Sequence, residues 1–235
     1  MMNIAVILAG GTGTRLGGEI PKQYLEVGGK PVIRYCLDTC FDSDEIGAVH
    51  IVAEEHWRRF IESHLPEENR QKWKGFSCPG ETRQLSIWNA LSDIGTYADA
   101  DDVVFIHDAA RPLLSSDLLN RCLHSVADHD GVLPVLPMKD TVYYSEDGSK
   151  VSGLLKRSSV YAGQAPEVFL FGKYYEANRV LFPDKIKQIN GSTEPAIMAG
   201  LDIVMIDGEE SNFKITTHAD LQRFRQIVEG SLTLE

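Results

Sequence analysis

The sequence has no long apolar run, no paired cysteine motif and no excess of positive charge. A membrane-spanning helix needs about 18 or more consecutive apolar residues, and no such run occurs. Lysine and arginine number 23 against 34 aspartate and glutamate residues, so the formal net charge is −11. Proteins that bind nucleic acids or anionic membranes in general are basic. We therefore expect no nucleic-acid partner and no membrane partner, and an anionic ligand requires a local cluster of cations.

Cysteine is scarce as well, with four residues in a chain of 235. They are Cys36, Cys40, Cys78 and Cys122, and none forms a CxxC pair. A disulfide scaffold needs a higher density of cysteine. Cys36 and Cys40 lie one helical turn apart, which is typical of packing on one helix face. The cysteine usage predicts a reduced, cytoplasmic protein.

The remaining composition is that of an ordinary globular protein, with 43% hydrophobic and 24% charged residues. A chain of this length suits one large core, so we predict a single domain over residues 1–235. Near the N-terminus, residues 4–8 are apolar, have no basic flank and run directly into glycines. This pattern indicates a strand rather than a signal peptide.

Apolar runs that suit strands alternate with segments that have the spacing of one helix face. The predicted strands are 4–8, 49–53, 103–107, 132–136, 202–206 and 213–216. The predicted helices are 31–40, 56–64, 82–94, 115–129, 172–180, 194–200 and 221–228, the last preceded by a capping box at Thr217 and Asp220. The alternation predicts an α/β three-layer sandwich, a mostly parallel sheet with helices on both faces. Ligands of such sheets bind beyond the carboxyl ends of strands, where the first glycines and Asp108 should converge.

Residues 139–158 interrupt this alternation. Two short β-rich runs, 141–144 and 151–155, flank the stretch Glu146-Asp147-Gly148-Ser149. Asp-Gly between two such runs is a hairpin signal. We therefore predict that residues 139–158 form a β-hairpin arm that projects from the domain.

Glycines follow the first predicted strand in the stretch Ala9-Gly10-Gly11-Thr12-Gly13-Thr14-Arg15. Glycine lets the backbone approach a ligand and direct N–H groups at phosphates. No Gly-Lys-Ser/Thr ends the stretch, so it is not a Walker A loop, and Leu16 stands where a dinucleotide fingerprint has its third glycine. Arg15 and Lys22 place two cations beside this loop in an acidic protein. We interpret the combination as a triphosphate clamp; the alternative is a structural turn with two solvated charges.

Further stretches occur in a recognisable order along the chain. They are Pro21-Lys22-Gln23, Pro79-Gly80-Glu81-Thr82-Arg83-Gln84-Leu85-Ser86, His107-Asp108-Ala109-Ala110-Arg111-Pro112, Lys139-Asp140-Thr141, Lys156-Arg157, Gln164-Ala165-Pro166-Glu167 and Asn212-Phe213-Lys214-Ile215-Thr216. With the glycine loop, this ordered set resembles the 2-C-methyl-D-erythritol 4-phosphate cytidylyltransferases and the related D-ribitol-5-phosphate cytidylyltransferases. The resemblance covers nearly the whole chain and implies a Rossmann-like fold of the nucleotidyltransferase type.

The resemblance implies an enzyme that transfers CMP from CTP to a polyol phosphate and releases pyrophosphate, with Mg²⁺ as cofactor. A phosphate monoester has a second pKa of about 6, so the attacking phosphate is largely ionised at neutral pH. This suits a sequence without an obvious pair of histidine and carboxylate that could act as a base. Cations and positioning are expected to supply most of the catalysis.

The site residues implied by the family pattern fall into three groups. Arg15, Lys22 and Lys214 are the catalytic cations, the first two on the triphosphate and the third on the reacting phosphates. Asp108 is the metal ligand and also a substrate residue. The residues implied around the nucleotide are Ala9, Gly10, Gly11, Thr12, Gly13, Gly80, Glu81, Arg83, Ser86 and Ala109.

Thr141 and Arg157 complete the implied acceptor site, and they flank the predicted arm. In the family this arm crosses to a second subunit and contributes the arginine in trans. The resemblance therefore implies a homodimer in which each active site is shared between two chains.

Three stretches depart from the family pattern. Gln164-Ala165-Pro166-Glu167 replaces the common Gln-Thr-Pro-Gln, and Ser192-Thr193-Glu194-Pro195 replaces a segment often written Thr-Asp-Glu-Ala. Ser211 stands where relatives often have an acid before the Asn-x-Lys-Ile-Thr stretch. The departures concern the second-substrate pocket and any metal ligand beyond Asp108.

The two acceptors are hard to separate by sequence. Residues 107–112 and 139–141 look more like the methylerythritol enzymes, whereas residues 10–15, 161–164 and 211–214 lean toward the ribitol enzymes. We favour 2-C-methyl-D-erythritol 4-phosphate, with D-ribitol 5-phosphate as the alternative. A non-catalytic nucleotide-binding module and a nicotinamide-dependent reductase are the alternatives from other classes. Leu16 argues against the reductase.

Overall fold

A computed structural model describes residues 1–11 and 20–230 of the chain. The strands are β1 (Asn3–Leu8), β2 (Glu26–Val27), β3 (Lys30–Pro31), β4 (Ala48–Val52), β5 (Trp73–Ser77), β6 (Val103–Asp108), β7 (Gly131–Pro137), β8 (Tyr143–Tyr144), β9 (Gly153–Leu154), β10 (Tyr161–Gly163), β11 (Glu167–Leu170) and β12 (Ile203–Asp207). The helices are α1 (Val32–Asp42), α2 (Glu55–Ser63), α3 (Arg83–Ile94), α4 (Ser116–Ser125), α5 (Phe171–Arg179), α6 (Glu194–Met198) and α7 (His218–Val228).

The central sheet has eight strands within the described ranges, in the order β10-β7-β11-β6-β1-β4-β5, with β12 paired to β7. Strands β4 and β6 pair parallel to β1, β5 pairs parallel to β4, and β12 pairs parallel to β7. Strand β11 pairs antiparallel to both β6 and β7, and β10 pairs antiparallel to β7. The sheet is thus mostly parallel, which confirms the predicted α/β class.

Helices cover both faces of this sheet because the strands are apolar on both sides. Ala5 and Ile7 of β1 face one core cluster, which also contains buried residues of α1, α2 and α4. Ile4 and Val6 face the opposite cluster, which contains buried residues of α3, α5 and α6. Successive residues of a strand point to opposite faces. The result is the predicted three-layer sandwich, with the sheet between two helical layers.

Side-chain caps mark where several helices begin. The Oγ1 of Thr82 accepts from the backbone N–H of Leu85 at 3.1 Å, which opens α3. Thr217 and Asp220 form the capping box that the sequence predicts at the start of α7. Such a cap satisfies backbone donors that lack a partner in the first helical turn. None of the helices in the described part of the chain is long and apolar enough to cross a bilayer.

Several sequence predictions of single elements are wrong or incomplete. Residues 213–216 form no strand in the described structure: the N–H of Ile215 bonds to the carbonyl of Ala110, and that of Thr216 bonds to the Asp220 carboxylate. Helix α4 ends earlier than predicted, at Ser125. The pattern also missed β5, β10 and β11, because these strands are short or only partly apolar.

The predicted arm is present as a hairpin of β8 and β9, paired antiparallel. Gly148 in its turn has a φ of 72°, a left-handed conformation that glycine adopts without strain. Apolar side chains on the arm are exposed, with Val151 at 67% and Leu154 at 65% of their full accessibility. The hairpin therefore has no core of its own in the single chain.

Candidate active site

A cleft of about 560 Å³ opens beyond the carboxyl ends of β1 and β6. The two loops that the sequence predicts to converge there both contribute to its walls. The lining residues are Leu8, Gly10, Gly11, Lys22, Gln23, Val52, Glu54, Gly80, Glu81, Thr82, Arg83, Ser86, Asp108, Ala110 and Lys214. The cleft thus brings together residues from six separate stretches of the sequence.

The first wall is the start of the glycine loop, held by the segment that follows it. Gln23 donates from Nε2 to the carbonyls of Ala9 and Gly11, both at 2.7 Å, and the Tyr24 hydroxyl donates to Ala9 at 2.9 Å. Both side chains are buried, so this segment is anchored. Lys22 lies in the same short turn of 3₁₀ helix and lines the cleft.

The second wall is the loop that carries Gly80. A Cβ on Gly80 would lie 2.3 Å from the Cβ of Leu85, so only glycine fits there. The N–H of Gly80 donates to the Oγ of Ser86 at 3.0 Å, and that hydroxyl donates to the carbonyl of Thr82. Ser86 therefore holds the loop against the start of α3. A Cβ on Gly10 would approach Pro79 to 2.4 Å, so the two walls are in close contact.

Asp108 lies at the floor of the cleft among three cations. Its Oδ1 accepts from Nε of Arg83 at 3.2 Å, and its Oδ2 accepts from Nζ of Lys214 at 2.9 Å. The Nε of Arg111 is 3.5 Å from the same Oδ2. The Asp108 side chain is about one-tenth exposed, so these ion pairs are screened little by solvent.

The cations control the protonation state of Asp108. Burial by itself raises the pKa of a carboxyl group, but the positive charges of Arg83, Lys214 and Arg111 outweigh it and hold the pKa of Asp108 well below its usual range. Asp108 in turn raises the pKa of Arg83 against the effect of burial. Asp108 is ionised at neutral pH and joins three cations at one point, and two of them, Arg83 and Lys214, are distant from it in the sequence.

The side chains of Arg111 and His107 contact the backbone of the segments that carry Asp108 and Lys214. Arg111 donates from Nη1 to the backbone carbonyl of Asn212 at 2.7 Å, which ties the β6 loop to the segment of Lys214. His107 is fully buried, and its Nε2 lies 2.9 Å from the carbonyl of Arg111. Burial lowers the pKa of His107 to about 4, so the ring is neutral. Its contacts are structural rather than catalytic.

Arg111 and Glu167 belong to motifs of the sequence, but the sequence assigned a role to neither of them. Arg111 lies three residues after Asp108 in the same motif, and its backbone N–H bonds to the Asp108 carbonyl in a tight turn. This three-residue spacing is a signal that could have identified it. Glu167 and Ser192 bond to Arg83, yet nothing in their sequence spacing from Arg83 indicates this contact.

The predicted site residues fall into four sets, of which the fourth is the pair on the arm. Lys22, Lys214, Asp108, Gly10, Gly11, Gly80, Glu81, Arg83 and Ser86 line the cleft. Ala9 and Ala109 are buried beside it and contribute backbone groups, such as the bond from Ala109 N–H to the Leu8 carbonyl. Arg15, Thr12 and Gly13 lie outside the described residues.

Thr141 and Arg157 lie on the exposed arm rather than on the cleft. Neither is among the residues that line the cleft in the described chain. Arg157 donates from Nη1 to the carbonyl of Lys139 at the base of the arm, at 3.1 Å. Lys139 in turn forms an ion pair with Glu210. Within one chain, therefore, the arm does not complete the cleft.

Asp108 is the carboxylate that the sequence assigns to a magnesium ion, and Glu54 and Glu81 also line the cleft. Mg²⁺ bound with substrate phosphates typically needs one or two protein carboxylates and keeps several waters. No group of three or more histidine, cysteine, aspartate or glutamate side chains among residues 1–11 and 20–230 is placed to hold a metal. The residues fit a metal ion that is carried mainly by the phosphates of a nucleotide.

Comparison with known proteins identifies a family, and the match extends over nearly the whole chain. The family model described as 2-C-methyl-D-erythritol 4-phosphate cytidylyltransferase matches residues 3–230. A ribitol-5-phosphate cytidylyltransferase of Streptococcus agalactiae is 32% identical over 231 residues, covering 98% of this chain and 96% of the relative. A 2-C-methyl-D-erythritol 4-phosphate cytidylyltransferase of Rubrobacter xylanophilus is 33% identical over 223 residues, covering 93% and 91%.

Solved structures show the same fold. The crystal structure of the 2-C-methyl-D-erythritol 4-phosphate cytidylyltransferase of Francisella tularensis superposes with a TM-score of 0.80 at 24% identity, covering 95% of this chain and 98% of that chain. The match supports the α/β architecture described above. Taken with the family model over nearly the whole sequence, it follows that this chain belongs to the 2-C-methyl-D-erythritol 4-phosphate cytidylyltransferase family and is a cytidylyltransferase, a nucleotidyltransferase enzyme.

Proposed function

We propose that the protein transfers CMP from CTP to a small polyol phosphate in this cleft and releases pyrophosphate. The observation that carries the proposal is the cluster of Lys214, Arg83 and Arg111 around Asp108, facing Lys22 and the two glycine-containing walls. A protein of net charge −11 has these cations concentrated where two anionic substrates must meet. Such preorganised charge is the main source of catalysis when negative charge shifts between phosphates.

The positions of these groups suit the proposed transfer of CMP. An ionised oxygen of the acceptor phosphate attacks the α-phosphorus of CTP, and the bond from that phosphorus to the pyrophosphate oxygen breaks. Lys22 lies on the side of the glycine loop and neutralises the triphosphate, whereas Lys214 lies on the Asp108 side and neutralises the two reacting phosphates. Asp108 orients Lys214 at 2.9 Å. No protein base is required, because the acceptor phosphate has a second pKa of about 6.

Magnesium is the proposed cofactor, with Asp108 as the protein ligand. When bound, the ion would neutralise charge on the phosphates and orient the triphosphate. A Cβ on Gly11 would meet no atom of the described residues within 4 Å, so a nucleotide can approach the backbone there. We assign the nucleoside to this end of the cleft, with Ser86 holding the Gly80 loop in shape.

A direct assay tests the reaction and the acceptor together. The protein is incubated with CTP and Mg²⁺ and with either 2-C-methyl-D-erythritol 4-phosphate or D-ribitol 5-phosphate, and pyrophosphate release is measured. We expect release that requires both CTP and one of the two acceptors. Motifs around Asp108 favour the methylerythritol compound, whereas several relatives are named for ribitol 5-phosphate. Inactivity with both acceptors would contradict the proposal, and CTP binding without turnover would favour a non-catalytic nucleotide-binding module.

We further propose that residues 139–158 are the dimerisation element of a single 1–235 domain. Its apolar side chains Tyr143, Val151 and Leu154 are at least 61% exposed in one chain. Thr141 and Arg157 do not line the cleft of their own chain. An arm exchanged between two copies would bury the apolar side chains and bring both residues to the partner's cleft.

Complementation between two inactive variants tests the shared site. Lys214→Ala disables the cleft and Arg157→Ala disables the arm, so each homodimer is expected to be nearly inactive. After subunit exchange, half of the dimers are mixed and each has one intact site, which restores about a quarter of wild-type activity. Sedimentation should show a dimer at micromolar concentration. A monomer that retains activity, or an absence of recovery on mixing, would contradict the exchanged arm.

A further inference from the structure

A second buried carboxylate, Glu167, lies beside Asp108. Strand β11 runs antiparallel to β6, with Glu167 opposite Ile106. Asp108 is two residues beyond Ile106, so the two carboxylates project from the same face of the sheet. Diagonal neighbours of this kind have Cα atoms about 7–8 Å apart. Two negative charges this close in a buried region repel each other and require a cation between them.

Arg83 is that cation, and its guanidinium is held on several edges. Its Nε donates to Asp108 at 3.2 Å and its Nη2 donates to Glu167 at 3.3 Å. Its Nη1 donates to the hydroxyl of Ser192, which itself donates to Glu167. The three side chains of Arg83, Glu167 and Ser192 thus form a closed triangle. A guanidinium with partners in this planar arrangement is fixed in orientation as well as in position.

The triangle determines which end of the cleft Arg83 serves. Arg83 begins α3 directly after the Gly80 loop, and this position in the sequence suggests a role at the nucleoside. Its guanidinium instead lies at Asp108, close to where Lys214 also reaches. The Arg83 side chain is 33% exposed and lines the cleft, whereas Glu167 and Ser192 are not among the lining residues. Within the described chain, the direct side-chain contact of Glu167 with a residue of the cleft lining is therefore the one with Arg83.

We infer that Glu167 is a positioning residue that, with Ser192, holds the guanidinium of Arg83 toward the acceptor phosphate rather than toward cytidine. The inference rests on the proposed function, because it assigns Arg83 to the acceptor side of the same cleft. Without the charge of Glu167, Arg83 turns fully onto Asp108 and competes with Lys214 for it. The acceptor then meets a guanidinium that is displaced from its wild-type position, whereas the nucleoside end of the cleft is unchanged.

The test is Glu167→Gln, which keeps the shape of the side chain and removes its charge. We expect the KM for the acceptor to rise about tenfold, since a charge-assisted hydrogen bond is about twice as strong as a neutral one. The KM for CTP and its affinity by calorimetry should stay within about twofold of wild type. Glu167→Asp, which restores the charge on a shorter side chain, should recover part of the loss. The matched control is Asp117→Asn, which removes an exposed carboxylate that pairs with Arg121 on α4, and it should change neither KM.

A Ser192 variant and an NMR measurement on Arg83 test the same contact independently. Ser192→Ala removes one side of the triangle, should raise the acceptor KM in the same direction, and serves if Glu167→Gln does not fold. The Nη–H signals of Arg83, followed by NMR exchange with water, should be protected in the wild type and lose protection in Glu167→Gln, whereas the Nε–H, which bonds to Asp108, should stay protected. An unchanged acceptor KM, or equal increases of both KM values, would overturn the inference. Inactivity of the wild type with both acceptors refutes the proposed function instead, and the Arg83 signal then still tests the positioning contact.

Discussion

Replacing Lys22 with alanine is expected to lower kcat by about 10²–10³-fold, because one preorganised donor to a developing charge contributes about 2.7–4 kcal/mol in the transition state. Lys22 lines the cleft together with Gly11 and Lys214. As negative charge moves to the leaving pyrophosphate, a cation on the glycine-loop side stabilises the transition state more than the ground state. The loss should therefore appear in kcat rather than only in the KM for CTP. Steady-state pyrophosphate release measures both constants.

The fold of this variant should be unaffected. Gln23 and Tyr24 anchor the segment through buried hydrogen bonds to the carbonyls of Ala9 and Gly11, and both remain in the variant. Equal melting temperatures for variant and wild type would verify this. Lys74→Ala provides the matched control, since Lys74 is exposed on β5 and lies outside the cleft lining. A Lys22→Ala enzyme with wild-type kcat would remove the cationic clamp from the mechanism.

Replacing Asp108 with asparagine is expected to destabilise the protein by about 3–5 kcal/mol at neutral pH. Removing one partner of a buried ion pair leaves the other charge without compensation, and this costs far more than losing a surface pair. Here three cations, Arg83, Arg111 and Lys214, lose their common carboxylate. Urea unfolding followed by circular dichroism measures the change. Pyrophosphate release should also fall sharply, because Lys214 is no longer oriented.

The pH dependence of this difference has a defined sign. The pKa of Asp108 in the folded protein is depressed below its ordinary value of 3.8. A depressed carboxyl pKa contributes stability above the unfolded value, and that contribution is lost as the pH falls through the folded pKa. The difference in unfolding free energy between wild type and Asp108→Asn should therefore be largest near about pH 7 and should become smaller below about pH 4.

Asp38→Asn is the control for Asp108→Asn. Asp38 also pairs with two cations, Lys30 and Arg34, but it lies in α1 with its side chain 25% exposed. Ion pairs nearer the solvent contribute about 0–1 kcal/mol, so this variant should lose little stability and keep its activity. A loss for Asp108→Asn as small as that for Asp38→Asn would contradict the buried cation cluster.

Local signals in the sequence predicted the elements that depend on near neighbours. The capping box at Thr217 and Asp220 depends on two residues three positions apart, and it is present as predicted. The Asp-Gly turn of the arm depends on the left-handed conformation of Gly148, which is also observed. The apolar periods of β1, β6 and α1 are strong because these elements are buried on a full face or on both faces. Such patterns need no knowledge of the partner.

Elements whose existence depends on a distant partner were missed. Strand β11 has only four residues and is defined by its pairing with β6 and β7. Both partners lie far back in the sequence: Glu167 pairs with Ile106, and Val168 pairs with Val132 on the other side of the arm. Residues 213–216 have a strand-like composition, but their backbone groups bond instead to Ala110 and to the cap of α7. Propensity within a short window does not identify which donor and acceptor a backbone group will find.

The amino-acid order alone determined the family and the α/β class, and it predicted that Lys22, Asp108 and Lys214 share one site, because motif and periodicity are properties of neighbouring residues. Only the tertiary structure decided that Arg83 reaches past the nucleoside loop to Asp108 and that Glu167 holds it there. That contact arises from the antiparallel register of β11 on β6 and from the packing of α3 on one face of the sheet. Electrostatic interactions depend on distance in space, and the groups that surround Asp108 lie up to 106 positions from it in the chain.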